Sequence, residues 1–310
     1  METITEIPIN QPGCMPGAPA PAASHENNRP AVSPASQPSA PASCPACSGA
    51  SGSEARTYIY ALGRVEPRFP SPGVEKEFAQ ATGRGQTKGM TDREVLYSVL
   101  SARENLYLAR QLCWVLTLQG LETYLLVPRD SAELKLLVEA VRPVPRLTDI
   151  DVVIGLRGPM APPKMCNGLM VPLVVIDQVY SFDREELIKS IPRPEKVAVK
   201  EFQTAAEELF DHIMQMTDNA GATDENRALN YLAVRYPAIY AKVAEQFVVN
   251  ASLSAVETRP SPLSATRKIV DAIFSFTNRK TDVVEKFFVR VDVTEEFPFL
   301  VTKLSAYYDR

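Results

Sequence analysis

Four cysteines spread along the chain constrain its fold more than any other feature. Cys44 and Cys47 form a C-P-A-C knuckle, Cys113 sits beside the only tryptophan, Trp114, and Cys166 lies in an M-C-N-G turn. A tetrahedral zinc site takes four soft ligands, and a C-x-x-C turn supplies two thiolates from one tight segment. The other two can come from any segment that folding brings near. Cys44, Cys47, Cys113 and Cys166 are therefore the expected ligands of one structural zinc per chain. A closed set of four thiolates leaves no open position for a catalytic water. Metal binding of this kind contributes on the order of 10 kcal/mol or more to a folded state. The plainer alternative makes Cys113 and Cys166 small buried hydrophobes and the knuckle a lone redox pair. Cys14 stands in a Pro/Ala-rich stretch and falls outside the set.

The 310 residues allow one large domain or two smaller ones. A formal net charge of -4 offers none of the basic face that nucleic acid demands. No apolar run reaches the length of a membrane span, and the start, Met1-Glu2-Thr3-Ile4, lacks the basic and apolar blocks of a signal peptide. The expected location is the cytoplasm, where reduced thiols favour metal over disulfide.

Residues 1–43 are dominated by Pro, Ala, Ser and Asn and are expected to form a disordered tail. The folded region is expected over 44–310, with the Ile191-Pro192-Arg193-Pro194 stretch dividing it into lobes 44–192 and 195–310. Thr57 to Leu62 reads as a strand that Gly63 ends, followed by a proline-rich turn and a short helix from Val74 to Ala81. Thr91 and Glu94 form a T-x-x-E capping box that opens another helix. Leu112–Leu118 and Leu121–Val127 read as a hairpin around Gln119-Gly120, and Ser131–Val141 as a helix. Asp151–Leu156 and Leu173–Val179 read as buried strands on either side of a long loop that holds Cys166.

Beyond the boundary, Phe202, Ala206, Leu209, Ile213 and Met216 follow a helical period, and helices continue from Asn226 to Phe247 with a break at Pro237. Ile269, Val270, Ile273 and Phe274 predict one more helix. Phe287 to Val293 alternates as a strand, and Phe299–Leu304 predicts the last one. The sum is an α+β fold: a mixed or antiparallel sheet core, a helical C-terminal half and a zinc staple.

Long stretches of this chain resemble one family. They are the C-P-A-C knuckle, Tyr58 to Pro70 (YIYALGRVEPRFP), Val74 to Gln80 (VEKEFAQ) and Ala109 to Trp114 (ARQLCW). Gly155 to Pro159 (GLRGP) and Met165 to Pro172 (MCNGLMVP) join them, as do Thr277 to Arg279, Val284 to Leu300 and Tyr307 to Asp309. Together they are similar to the C-terminal domain of unknown function carried by the cyanobactin maturation proteases PatA and PatG. The resemblance implies a role in maturing ribosomally made peptides. The subtilisin-like protease half has no counterpart in the sequence.

The residues support that exclusion. A Ser-His-Asp or Cys-His machine needs a positioned histidine, and the chain has only His25, in the tail, and His212, on a helical stretch. The leading expectation is a non-catalytic accessory or scaffold protein. Its partners would be a maturation protease or other modifying enzyme, and the precursor peptide. Arg64, Arg68 and Arg157 are the candidate binding residues, meeting peptide carboxylates along a polar groove; ordinary surface ion pairs are the alternative. A second reading is a peptide-modifying enzyme built on Glu66, Glu75, Glu77 and Arg157. A third is a structural subunit that forms a homodimer through a sheet edge.

Overall fold

The computed structural model describes residues 57–84, 89–195, 197–216 and 218–308. The expected tail, Cys44 and Cys47 lie outside them. The chain opens with β1 (Tyr58–Arg68), which runs straight through Gly63. Gly63 does not end the strand; it lets β1 pass close to its neighbour, because a Cβ there would sit 2.5 Å from the Thr117 carbonyl oxygen. Three helices follow: α1 (Pro72–Arg84), α2 (Asp92–Ser101) and α3 (Leu106–Gln111). The capping box at the start of α2 forms as the sequence indicates, with Thr91 and Glu94 each satisfying the other's backbone N–H.

β2 (Cys113–Leu118) and β3 (Leu121–Val127) make the expected hairpin, with positive φ at Gln119 and Gly120. α4 (Ser131–Ala140) is capped by Asp130, whose carboxylate accepts from Ala132 and Glu133 N–H. β4 (Asp149–Met160) and β5 (Pro172–Asp183) are longer than their apolar cores suggested. These five strands close into a barrel in the order β1-β2-β3-β5-β4. Every pairing is antiparallel except β3 with β5, so the sheet is mixed.

α5 (Arg184–Ser190) leads out of the barrel to α6 (Val199–Met214), α7 (Asp224–Arg235) and α8 (Ala238–Val248), with Pro237 separating the last two. The expected helical C-terminal half then gives way to a second sheet. β6 (Ala251–Pro260), β7 (Ile269–Asn278), β8 (Val284–Asp292), β9 (Phe299–Leu300) and β10 (Ser305–Tyr307) pair antiparallel, in the order β10-β8-β7-β6 with β9 also on β8. The helix expected at Ile269–Phe274 is therefore β7. Its residues Ile269 to Phe276 are buried on both faces, and a strand covered on both sides loses the alternation that would distinguish it.

Two large apolar clusters organise the molecule. One joins strand residues Ile59, Val65, Leu116, Val153 and Ile176 to α2, α3 and α4 through Leu100, Leu108 and Leu137. The other packs Tyr60, Leu62, Val152 and Ile154, from the opposite faces of β1 and β4, against α6, α7, α8 and the second sheet. Alternation along two strands thus feeds two cores.

Candidate functional site

At one end of the barrel, the Arg64–Glu66 stretch of β1, the start of β4 and the end of β5 meet the loop of residues 141–148. Between them lies a cleft of about 610 Å³ lined by Arg142, Val144, Arg146, Asp149, Phe182 and Glu186, among others. A smaller notch of about 90 Å³ shares Arg142, Arg146 and Asp149 with it, and is completed by Arg64, Glu66, Arg93 and Asp151.

Carboxylates hold this end in shape. Asp151 is 5% exposed and accepts from Val65 N–H (2.7 Å) and from the Ser181 hydroxyl, joining β1, β4 and β5. Burial raises its carboxyl above the usual range, and those two hydrogen bonds pull the other way. Asp149 pairs with Arg142 and accepts from Arg146 N–H at 2.7 Å. Asp183 caps α5 by accepting from Glu186 N–H, and also accepts from Thr148 Oγ1 at 2.5 Å. Those hydrogen bonds, Thr148 first, hold its carboxyl below the usual range. Arg146 reaches over the cleft to Glu186 (3.1 Å) and Asp183 (3.6 Å).

Two further guanidiniums face the notch without a carboxylate. Arg64 Nη2 donates to the carbonyls of Leu147 (2.5 Å) and Arg146 (3.3 Å). Arg93 Nε donates to those of Val141 (2.8 Å) and Arg142 (3.4 Å). Both are thereby fixed on the same loop.

The expected binding arginines do not converge. Arg64 is in the notch, but Arg68, the last residue of β1, pairs with Glu122 outside it. Arg157 donates its backbone N–H to Thr57 O, about 23 Å from Arg64 at roughly 3.3 Å per strand residue. Glu75 and Glu77 are on α1, and neither lines the cleft. Arg93, Arg142 and Arg146 carry no binding signal in the sequence, because the capping box around Arg93 marks only a helix start and the 141–148 loop holds no motif. The proline-rich stretch Arg142-Pro143-Val144-Pro145-Arg146 is the only local signal for the two loop arginines.

The cysteines meet in part. Cys113 and Cys166 are joined as a disulfide with a Cα–Cα distance of 6.0 Å. They share a small apolar cluster with Val115, Leu125 and Ala161. Cys44 and Cys47 lie outside the described residues, and among those described no group of three or more His, Cys, Asp or Glu could hold a metal. His212 is exposed near the end of α6. Among the described residues, no helix is long and apolar enough to cross a membrane.

Residues 196–307 match the family model for the PatG C-terminal domain. This stretch is similar to the PatG C-terminal domain. A solved structure described as "PatG Domain of Unknown Function" shares the fold more widely, with a TM-score of 0.64 at 17% identity, over 81% of this chain and 98% of that one. The PatG-like fold therefore takes in the barrel as well as the segment that the family model matches. No curated protein matches the chain.

Proposed function

We propose that this chain is a non-catalytic accessory protein in the maturation of ribosomally made, cyanobactin-like peptides, and that the barrel-end cleft grips a peptide segment. The segment would belong to the precursor or to a maturation enzyme. The observation that carries this reading is the lining of the cleft. A hollow of about 610 Å³ accommodates a few residues of an extended chain, within the usual range of ligand sites. Val144, Phe182 and Leu187 offer apolar contact, while Arg142, Arg146, Asp149 and Glu186 offer hydrogen bonds to a backbone. The likeness to the PatG C-terminal domain supports the pathway part of this reading.

Titration of the purified chain with precursor peptides and with the maturation protease, by calorimetry, tests the proposal. Saturable binding is expected, and Ser190→Trp, which puts bulk into the cleft wall, should abolish it. Absence of binding by every partner would sink the reading. A gene neighbourhood holding a precursor peptide and a protease would support it.

A second reading, a peptide-modifying enzyme, draws on Asp151, a buried carboxyl with a raised pKa beside Ser181. Both its oxygens already accept hydrogen bonds, one from Val65 N–H and one from Ser181, which favours a structural role. Turnover of a precursor peptide by the isolated chain, lost in Asp151→Asn, would decide for the enzyme.

A further inference from the structure

We propose that the notch formed by Arg64 and Arg93 is a carboxylate-binding subsite, which anchors an acidic group of the segment held in the adjoining cleft. The inference rests on the peptide-cleft reading and adds the chemistry that recognises the ligand.

The donor count carries it. A guanidinium has five N–H donors. Arg64 spends Nη2 on the carbonyls of Arg146 and Leu147, and Arg93 spends Nε on those of Val141 and Arg142. Neither forms an ion pair among the described residues, whereas Arg142 and Arg146 both do. The backbone bonds fix the two side chains against one loop and leave Nε and Nη1 of Arg64, and both terminal nitrogens of Arg93, for a guest. Two planar cations held in place with spare donors match a carboxylate, which accepts through two oxygens.

Size and charge narrow the guest further. At about 90 Å³ the notch is much smaller than the cleft of about 610 Å³ beside it, and suits a peptide's end or one acidic side chain. Three acids face the same space. Asp149 is engaged by Arg142, Asp151 by Val65 and Ser181, and Glu66 is exposed at the rim. Their presence disfavours a dianion such as phosphate and leaves a single negative charge as the better guest. It also gives a directional consequence: removing the Glu66 charge should strengthen binding.

The carboxylate could be a peptide C-terminus or an Asp or Glu side chain, and a fluorescence-polarisation experiment separates the two. The probes are fluorescein-labelled octapeptide pools of mixed apolar and polar sequence. One pool has free C-termini, one is amidated, and one is amidated with a fixed internal Glu. Either acidic pool should bind about tenfold or more tightly than the plain amide. Arg64→Ala and Arg93→Ala should each remove that advantage, and Glu66→Gln should increase it about two- to fivefold. Arg68→Ala and Arg157→Ala should leave it unchanged. Equal binding of acid and amide pools, abolished by Ser190→Trp, would overturn the carboxylate subsite and leave the peptide cleft standing. Binding by no pool would overturn both. Thermal melts of each variant guard against misfolding, and Arg64→Lys, which keeps the charge but loses the fork, should fall between wild type and Arg64→Ala.

Discussion

Arg227 and Glu296 show how single residues set the terms of the fold. Arg227 is 2% exposed, so desolvation lowers its pKa. Its guanidinium donates to the carbonyls of Val293 (2.7 Å), Glu295 and Glu296 (3.1 Å), fastening the segment after β8 to α7. Arg227→Met would strand those carbonyls and is expected to cost about 3 kcal/mol, read from urea unfolding. A loss under 1 kcal/mol would mean that the segment is held by other contacts. Glu296 has one carboxyl oxygen buried without a partner among the described residues. Burial, and then the neighbouring Asp177, pushes its pKa up to about 7 from an ordinary 4.5. Between those two values the folded state keeps a proton that the unfolded chain releases. The stability this group contributes is therefore complete below about pH 4.5 and is lost as pH rises to about 7. Glu296→Gln should stabilise the protein at pH 8 and change little at pH 4.5. An equal effect at both pH values would contradict this assignment. The thiols make a third case, since a sulfur in a disulfide cannot also bind zinc as a thiolate. If the tetrathiolate read from the sequence forms, protein purified reduced, without a metal-binding tag, carries one zinc per chain. Cys113→Ser or Cys166→Ser should then lower the zinc content. Zinc-free reduced protein would remove the metal from the account.

At the scale of elements, β1 is the organising strand, and its edge is finished by a loop. Tyr60 N–H donates to Gly221 O (2.9 Å), and Tyr60 O accepts from Asn230 Nδ2 (2.8 Å), where β2 no longer pairs with β1. Gly221 has φ +68°, and a Cβ there would overlap Tyr60 O and sit 2.7 Å from Ala61 Cα. Gly221→Ala is expected to cost about 2–4 kcal/mol, measured by thermal or urea melts. A neutral result would show that the loop can lift from the strand. Nothing in the sequence around Gly221 announced this contact, because it joins residues 161 positions apart (221 minus 60). Elements with local signals were legible: the Thr91–Glu94 box, the Gln119-Gly120 hairpin and the break at Pro237. Strands defined by long-range cover were not. β6 carries Ser, Glu, Thr and Arg among its apolar residues, and β7 is buried from Ile269 to Phe276 with Asp271 and Ser275 among its apolar residues, so neither showed a clean period. The notch was legible at Arg64 and Glu66, since its other arginines come from α2 and the 141–148 loop.

For the whole molecule, the decisive fact is that the helices and second sheet after Ile191 share a core with the barrel before it. Tyr60, Leu62, Val152 and Ile154 pack in one cluster with Leu209, Leu229, Phe274 and Val289. Residues 196–307, the stretch matched by the PatG C-terminal model, would expose that apolar face if cut away from β1 and β4. Expressed alone, the fragment should be poorly soluble or bind a hydrophobic dye, while the 53–310 unit melts cooperatively. A sharper check uses Trp114, the chain's one tryptophan, which lies in the other cluster. Leu209, fully buried on α6, can be cut to Ala to open a cavity in the shared core, at a cost of about 2–5 kcal/mol. If the two cores unfold as one, Trp114 fluorescence and far-UV circular dichroism shift together, by roughly 5–15 °C. If Trp114 keeps its wild-type midpoint while the helical signal drops early, the barrel folds independently. The cleft would then belong to a domain that needs nothing from the segment bearing the family's signature.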